Sequence, residues 1–144
     1  MPNHIHKPMK TTLILFCAAL LMGSLTACGK AQTSQALVAE AEQLQQKGDI
    51  KAAIIQLKNA LQQNPDDSSA RYLLGTIYLK TDDPKSAEKE LRKALSLGMS
   101  TTKVKAELGR ALLSMGQFQQ VLDETKPIQG EKESAEISSL RGNA

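Results

Sequence analysis

Tryptophan is absent from these 144 residues, and aromatic side chains make up only 3% of them. A core must therefore be built from Leu, Ala, Ile and Val, which suits packed helices better than a two-sheet sandwich. Histidine is almost missing: His4 and His6 are the only two, so past residue 6 no imidazole can act as base or metal ligand. No Gly-rich phosphate loop and no Gly-x-Ser-x-Gly elbow occurs, which removes two common frames for phosphoryl and acyl transfer. Long hydrophobic runs are lacking too. Leu13 to Met22, ten residues, is too short to span a bilayer, which takes ~20 apolar residues.

What is present begins with that run. Ahead of it lie His4, His6, Lys7 and Lys10 with no acid, the charged-then-apolar order of a secretory leader. Gly23-Ser24 breaks the run, and Leu25-Thr26-Ala27-Cys28 follows. These four residues resemble a bacterial lipobox. The resemblance implies cleavage of residues 1–27, a lipid on the Cys28 sulfur and 117 residues left in the mature chain. An ordinary cleaved signal or an uncleaved anchor would also give this leader order, but the cysteine at the small-residue junction favours lipidation. Gram-negative lipoproteins retained at the inner membrane commonly carry Asp after the cysteine. Gly29 in that place implies the outer membrane, with the chain facing the periplasm. Residues 28–33 read as a small, polar tether. Cys17 departs with the leader and Cys28 is acylated, so no thiol remains for a disulfide, a metal site or nucleophilic chemistry. The net charge of +3 also shrinks once Lys7 and Lys10 are removed, to 16 basic against 15 acidic residues. That balance argues against a nucleic-acid partner.

Past the tether an internal period emerges. Gly48-Asp49-Ile50, Asp82-Asp83-Pro84 and Gly116-Gln117-Phe118 align at a spacing of 34 residues. Ala53 matches Ala87, Leu57 matches Leu91, Ala60-Leu61 matches Ala94-Leu95, and Leu74-Gly75 matches Leu108-Gly109. A 34-residue period with small residues at fixed places resembles the tetratricopeptide repeat (TPR), a pair of antiparallel helices. The expected fold is an all-α, right-handed TPR solenoid. Its domain spans 34–144, with repeats at about 34–67, 68–101 and 102–130 and the start of a further repeat at 131–144. Helices are expected at about 34–47, 50–63, 68–81, 84–97, 102–115 and 118–126. Ala41, Gly75 and Gly109 take the small position of the first helices, and Ala53 and Ala87 that of the second. Asp49 and Asp83 are placed to N-cap, with Pro84 at a first helical position where its missing N–H costs nothing. Gly98 suits a C-terminal cap. Glu88 and Arg92 read as an exposed (i, i+4) pair. The third repeat is degenerate: Val121 stands in the small position and Pro127 shortens the second helix.

The runs Lys51 to Pro65, Ala87 to Leu95 and Gly116 to Leu122, with the lipobox and Leu140-Arg141-Gly142-Asn143-Ala144, resemble the front of one family in particular. This is the long TPR lipoprotein of the PEP-CTERM/exosortase system of Gram-negative bacteria. The resemblance covers about residues 28–144 and implies a scaffold in exopolysaccharide production and protein sorting, in a chain that is the front of a longer array. It marks no residue as catalytic.

The residues themselves point the same way. Asp66-Asp67 and Asp82-Asp83 are paired acids at helix starts, where capping explains them better than acid–base work. No enzyme, cofactor or metal is expected. First helices of TPR arrays line a groove, and the positions expected to face it are Val38, Glu42 and Gln45, then Tyr72, Thr76, Leu79 and Lys80, then Lys103, Ala106, Arg110 and Leu113. Of these Tyr72, Thr76, Lys80, Lys103 and Arg110 are the candidate contacts, an aromatic and basic patch suited to an acidic peptide, a C-terminal carboxylate or an acidic polysaccharide. Two other functions fit the same residues: a TPR lipoprotein of pilus or outer-membrane assembly, and the front end of a longer periplasmic enzyme.

Overall fold

The computed structural model describes residues 32–99, 101–126 and 134–144. The leader, Cys28, the tether as far as Ala31, and Pro127 lie outside them. The helices are α1 (Ser34–Gln46), α2 (Ile50–Gln63), α3 (Ser68–Lys80), α4 (Pro84–Ser96), α5 (Thr101–Ser114), α6 (Phe118–Glu124) and α7 (Ala135–Gly142). No strand occurs among the described residues. The architecture is the all-helical TPR solenoid expected from the period.

Local chemistry sets the boundaries. Thr33, Asp49, Asp67, Asp83 and Ser134 each accept a backbone N–H from the first turn of the helix they precede, which satisfies donors that a helix start leaves orphaned. Each hairpin turn repeats one motif. Gly48, Asp82 and Gly116 adopt φ of +82°, +59° and +70°. The following N–H, of Asp49, Asp83 or Gln117, then donates to the carbonyl of Leu44, Tyr78 or Leu112, each at 2.9 Å. Such a left-handed turn ties off orphan carbonyls, and Asp tolerates it better than most L-residues. Gly98, at φ +82°, closes α4 in a related way.

Each first helix packs on its second, and each second on the next first. In addition the backbones of α1 and α3, α3 and α5, and α5 and α7 approach one another, whereas those of α2, α4 and α6 do not. The first helices therefore line one face, and the second helices form the opposite, outer face. Between them lie two clusters of buried side chains. One runs from Leu37 to Ile77 and the other from Ala87 to Leu140, and Tyr78 packs against both.

The small positions are used as the period requires. Ala41, Ala53 and Ala87 are fully buried. A Cβ on Gly75 would lie 2.7 Å from Leu91 Cγ, closer than real side chains approach. Glu90, on α4, is buried and accepts from Arg71 Nη1 at 2.6 Å. The same guanidinium donates to the Pro65 carbonyl through Nη2 at 3.0 Å, so one side chain holds the inter-repeat loop to the next second helix. Glu88 and Arg92 do pair, at 2.9 Å, but not as an isolated exposed couple. Arg92 is only partly exposed and reaches on to Glu124 and Gln120 of α6.

Candidate functional site

The first-helix face holds adjoining hollows. One, of about 460 Å³, is lined by Glu42, Gln45 and Gln46 from α1, Ser69, Tyr72 and Leu73 from α3, and Met99 and Lys103 beyond α4. The next, of about 290 Å³, is lined by Thr76, Leu79 and Lys80 of α3 with Glu107, Arg110 and Ser114 of α5. The structure thus brings the five candidate contacts to one face in two groups. Tyr72 and Lys103 share the first hollow, and Thr76, Lys80 and Arg110 share the second.

Helical spacing explains the grouping. Tyr72, Thr76 and Lys80 follow one another at four-residue steps, so they stack along one side of α3. The Lys103 ammonium sits 5.2 Å from the centre of the Tyr72 ring, within reach of a cation–π attraction worth about 0.5–1 kcal/mol at an exposed site. Thr76 spends its hydroxyl proton on the Leu73 carbonyl at 2.8 Å, which leaves its oxygen as an acceptor.

Two expectations change. Ala106, expected on the groove, is buried at 4% exposure, and Val38 is buried at 9% but still lines a hollow of about 470 Å³ with Glu42 and Ser69. Tyr72, at the equivalent place of the middle repeat, is the largest of the three side chains and stands partly exposed. The patch is also not simply basic. Arg110 is held by Glu107 at 2.9 Å and by Glu136 of α7. Its guanidinium pKa is raised, chiefly by the hydrogen bond it donates to Glu107. The Tyr72 hydroxyl is pushed up by burial first, then by the charges of Glu107 and Glu136. Glu107 and Glu136 went unseen in the sequence because neither falls at a repeat position that faces the groove by counting. The signal available was the (i, i+3) step from Glu107 to Arg110.

This arrangement offers an open, mixed-charge surface to a ligand. The described residues include no group of three or more His, Cys, Asp or Glu side chains that could hold a metal ion. The paired acids do helix work. Asp67 accepts from Ala70 N at 3.0 Å and from Ser34 Oγ at 2.7 Å, while Asp66 pairs with Lys93 at 3.3 Å. Asp83 caps α4 at 3.1 Å, and Asp82 supplies the left-handed turn.

No described helix is long and apolar enough to cross a membrane. The tetratricopeptide repeat family matches residues 44–99. No curated protein sequence matches the chain. Among solved structures, YrrB, described as a TPR protein with an unusual peptide-binding site, superposes with a TM-score of 0.63 at 21% identity, over 76% of this chain and 53% of its own. A mutant O-GlcNAc transferase from Thermobaculum terrenum gives 0.61 at 27% identity, over 78% of this chain and 20% of its own. The chain therefore spans about half the length of the first structure and a fifth of the second. Residues 44–99 therefore carry tetratricopeptide-repeat sequence, and the described residues take the TPR solenoid fold.

Proposed function

We propose that this chain is a lipid-anchored scaffold of the bacterial envelope whose α1–α3–α5 face holds a protein or peptide partner. The observation that carries the reading is the Tyr72–Lys103 pair beside an open hollow, with Glu107 and Arg110 in the next one. Together they offer an extended segment one apolar platform and charges of both signs. The likeness to YrrB, whose description names a peptide-binding site, supports a peptide over a small molecule. The Arg110 pairing moves the ligand away from a uniformly acidic peptide or polysaccharide and towards a segment of mixed charge.

In this reading Cys28 carries the lipid and the chain sits on the periplasmic side of the outer membrane. It serves exopolysaccharide production and PEP-CTERM protein sorting, as the family resemblance implies, with pilus or outer-membrane assembly as the neighbouring alternative. Labelled palmitate should enter the wild type and not Cys28→Ser, and equal labelling would remove the anchor. In pull-downs from envelope extracts, Tyr72→Ala and Lys103→Ala should each lose the partner at unchanged helicity. Retention by both would place the site elsewhere. The transferase likeness keeps one further reading, the front end of a longer enzyme. Gene sequence beyond Ala144 that continues the 34-residue period would count against it.

A further inference from the structure

The outer face, opposite the groove, carries a different charge pattern. On α2 the exposed residues Lys51, Ile55 and Lys58 follow one another at steps of four and three, so they form one stripe. On α4 Lys85, Lys89 and Lys93 do the same at steps of four. The two stripes meet at a hollow of about 450 Å³ that Lys58 and Lys89 line from opposite helices. The acids of these helices are already engaged: Glu88 by Arg92, and Glu90 by Arg71. Among the described residues none of Lys51, Lys58, Lys85 and Lys89 forms an ion pair, and Lys93 has only the surface partner Asp66. Ile55 stands 59% exposed in the middle of the α2 stripe.

We infer that this outer face is a second docking surface and that it lies on an anionic lipid bilayer. Three observations favour lipid over an acidic polymer. The arginines, which recognise carboxylates by shape, are spent inside the fold, leaving lysines that act as point charges. A bare aliphatic side chain sits among those lysines, the combination of apolar insertion and charge attraction that interfacial helices use. The third is reach. Ser34, where α1 begins, donates to Asp67 in the loop that follows α2. The five residues between Cys28 and Ser34 extend over at most about 20 Å. This last argument rests on the lipid-anchor reading proposed above. A lipid at Cys28 would keep the end of α2 close to the headgroups, and the lysines would then lay the outer face down and leave the groove open.

The test uses the full chain with Cys28→Ser, so that the face is measured whether or not Cys28 is ever acylated. Palmitate labelling of the wild type reads the anchor separately. Flotation is compared on vesicles of phosphatidylcholine alone and of phosphatidylcholine with one third phosphatidylglycerol. Binding should be at least tenfold stronger to the anionic vesicles and should fall with added salt, since each lysine near a charged surface contributes several-fold. Lys51→Glu with Lys58→Glu and Lys89→Glu should abolish the preference at unchanged helicity. If that triple variant fails to fold, Lys58→Gln with Lys89→Gln should halve it or more. The leader is common to every variant, so its own insertion cancels. Equal binding to both vesicles, or a preference unmoved by either variant, overturns the proposal. So does binding of soluble polyglutamate that the variants lose while lipid preference stays.

Discussion

The middle and third repeats are built on one period yet are held differently. In the middle repeat Gly75 lets α3 approach α4 until Leu91 fills the space where a Cβ would stand. Thirty-four residues on, the place of Leu91 is taken by Thr125, also fully buried, which turns its hydroxyl back to the Val121 carbonyl. Here a Cβ on Gly109 would meet Leu140 Cδ1 at 3.1 Å and Thr125 Cγ2 at 3.2 Å. The third hairpin thus shares its gap with α7, and a short polar side chain does half the filling. Its second helix is seven residues against thirteen in α4. Its start is uncapped: Gln117 makes no cap bond, and its Oε1 is buried without a partner among the described residues. A tight two-helix joint in one repeat has become a looser three-helix joint in the next.

That contrast can be broken at several points. Leu91→Ala should cost about 2–5 kcal/mol, the range for emptying a packed leucine site, as read by urea midpoints. Gly75→Ala should cost about 1–3 kcal/mol by overpacking. Gly109→Ala, with more room and better helix propensity to gain, should stay within about 1 kcal/mol of wild type. Equal losses at the two glycines would mean the joints are alike. Gln117→Asp should restore the missing cap and stabilise by about 0.5–1 kcal/mol, raising the thermal midpoint. The smallest effect concerns acid. The Asp83 carboxyl is held below its ordinary range, first by its hydrogen bonds to Ser86. A depressed folded-state pKa adds stability above the unfolded value, and that contribution fades as pH falls through the folded value. Asp83→Asn should therefore flatten the acid limb of a stability–pH profile, whereas Gln117→Asn, at the equivalent place, should leave it unchanged.

The helices were legible because three kinds of residue recur at the same phase. Ala53 and Ala87 mark the crossing, Asp49 and Asp83 the caps, and Gly48 and Gly116 the turns. Each has a local cause, so each shows in the sequence without knowledge of the fold. Membership of the groove was only partly legible. Tyr72, Thr76 and Lys80 follow from helical spacing, but counting alone could not tell that Ala106 is swallowed by packing. Nor could it show that Glu136, from a helix beyond the third repeat, would reach Arg110. Both depend on how neighbouring repeats stack, which is tertiary information. Thr125 was missed for a related reason: a threonine where leucine belongs reads as decay until its neighbours Gly109 and Leu140 are in view.

Arg71 has a mechanical consequence. It ties the carbonyl of the strap ahead of its own helix to a guanidinium already fixed inside the second hairpin by a carboxylate almost shut off from water, so the strap is held by a donor that cannot swing away without stripping a poorly hydrated ion pair. The fastening of α4 to α6 through Arg92 is wetter and more easily screened. Under tension the joint between the second and third hairpins, which that pair spans, should therefore yield at a lower force as salt is raised.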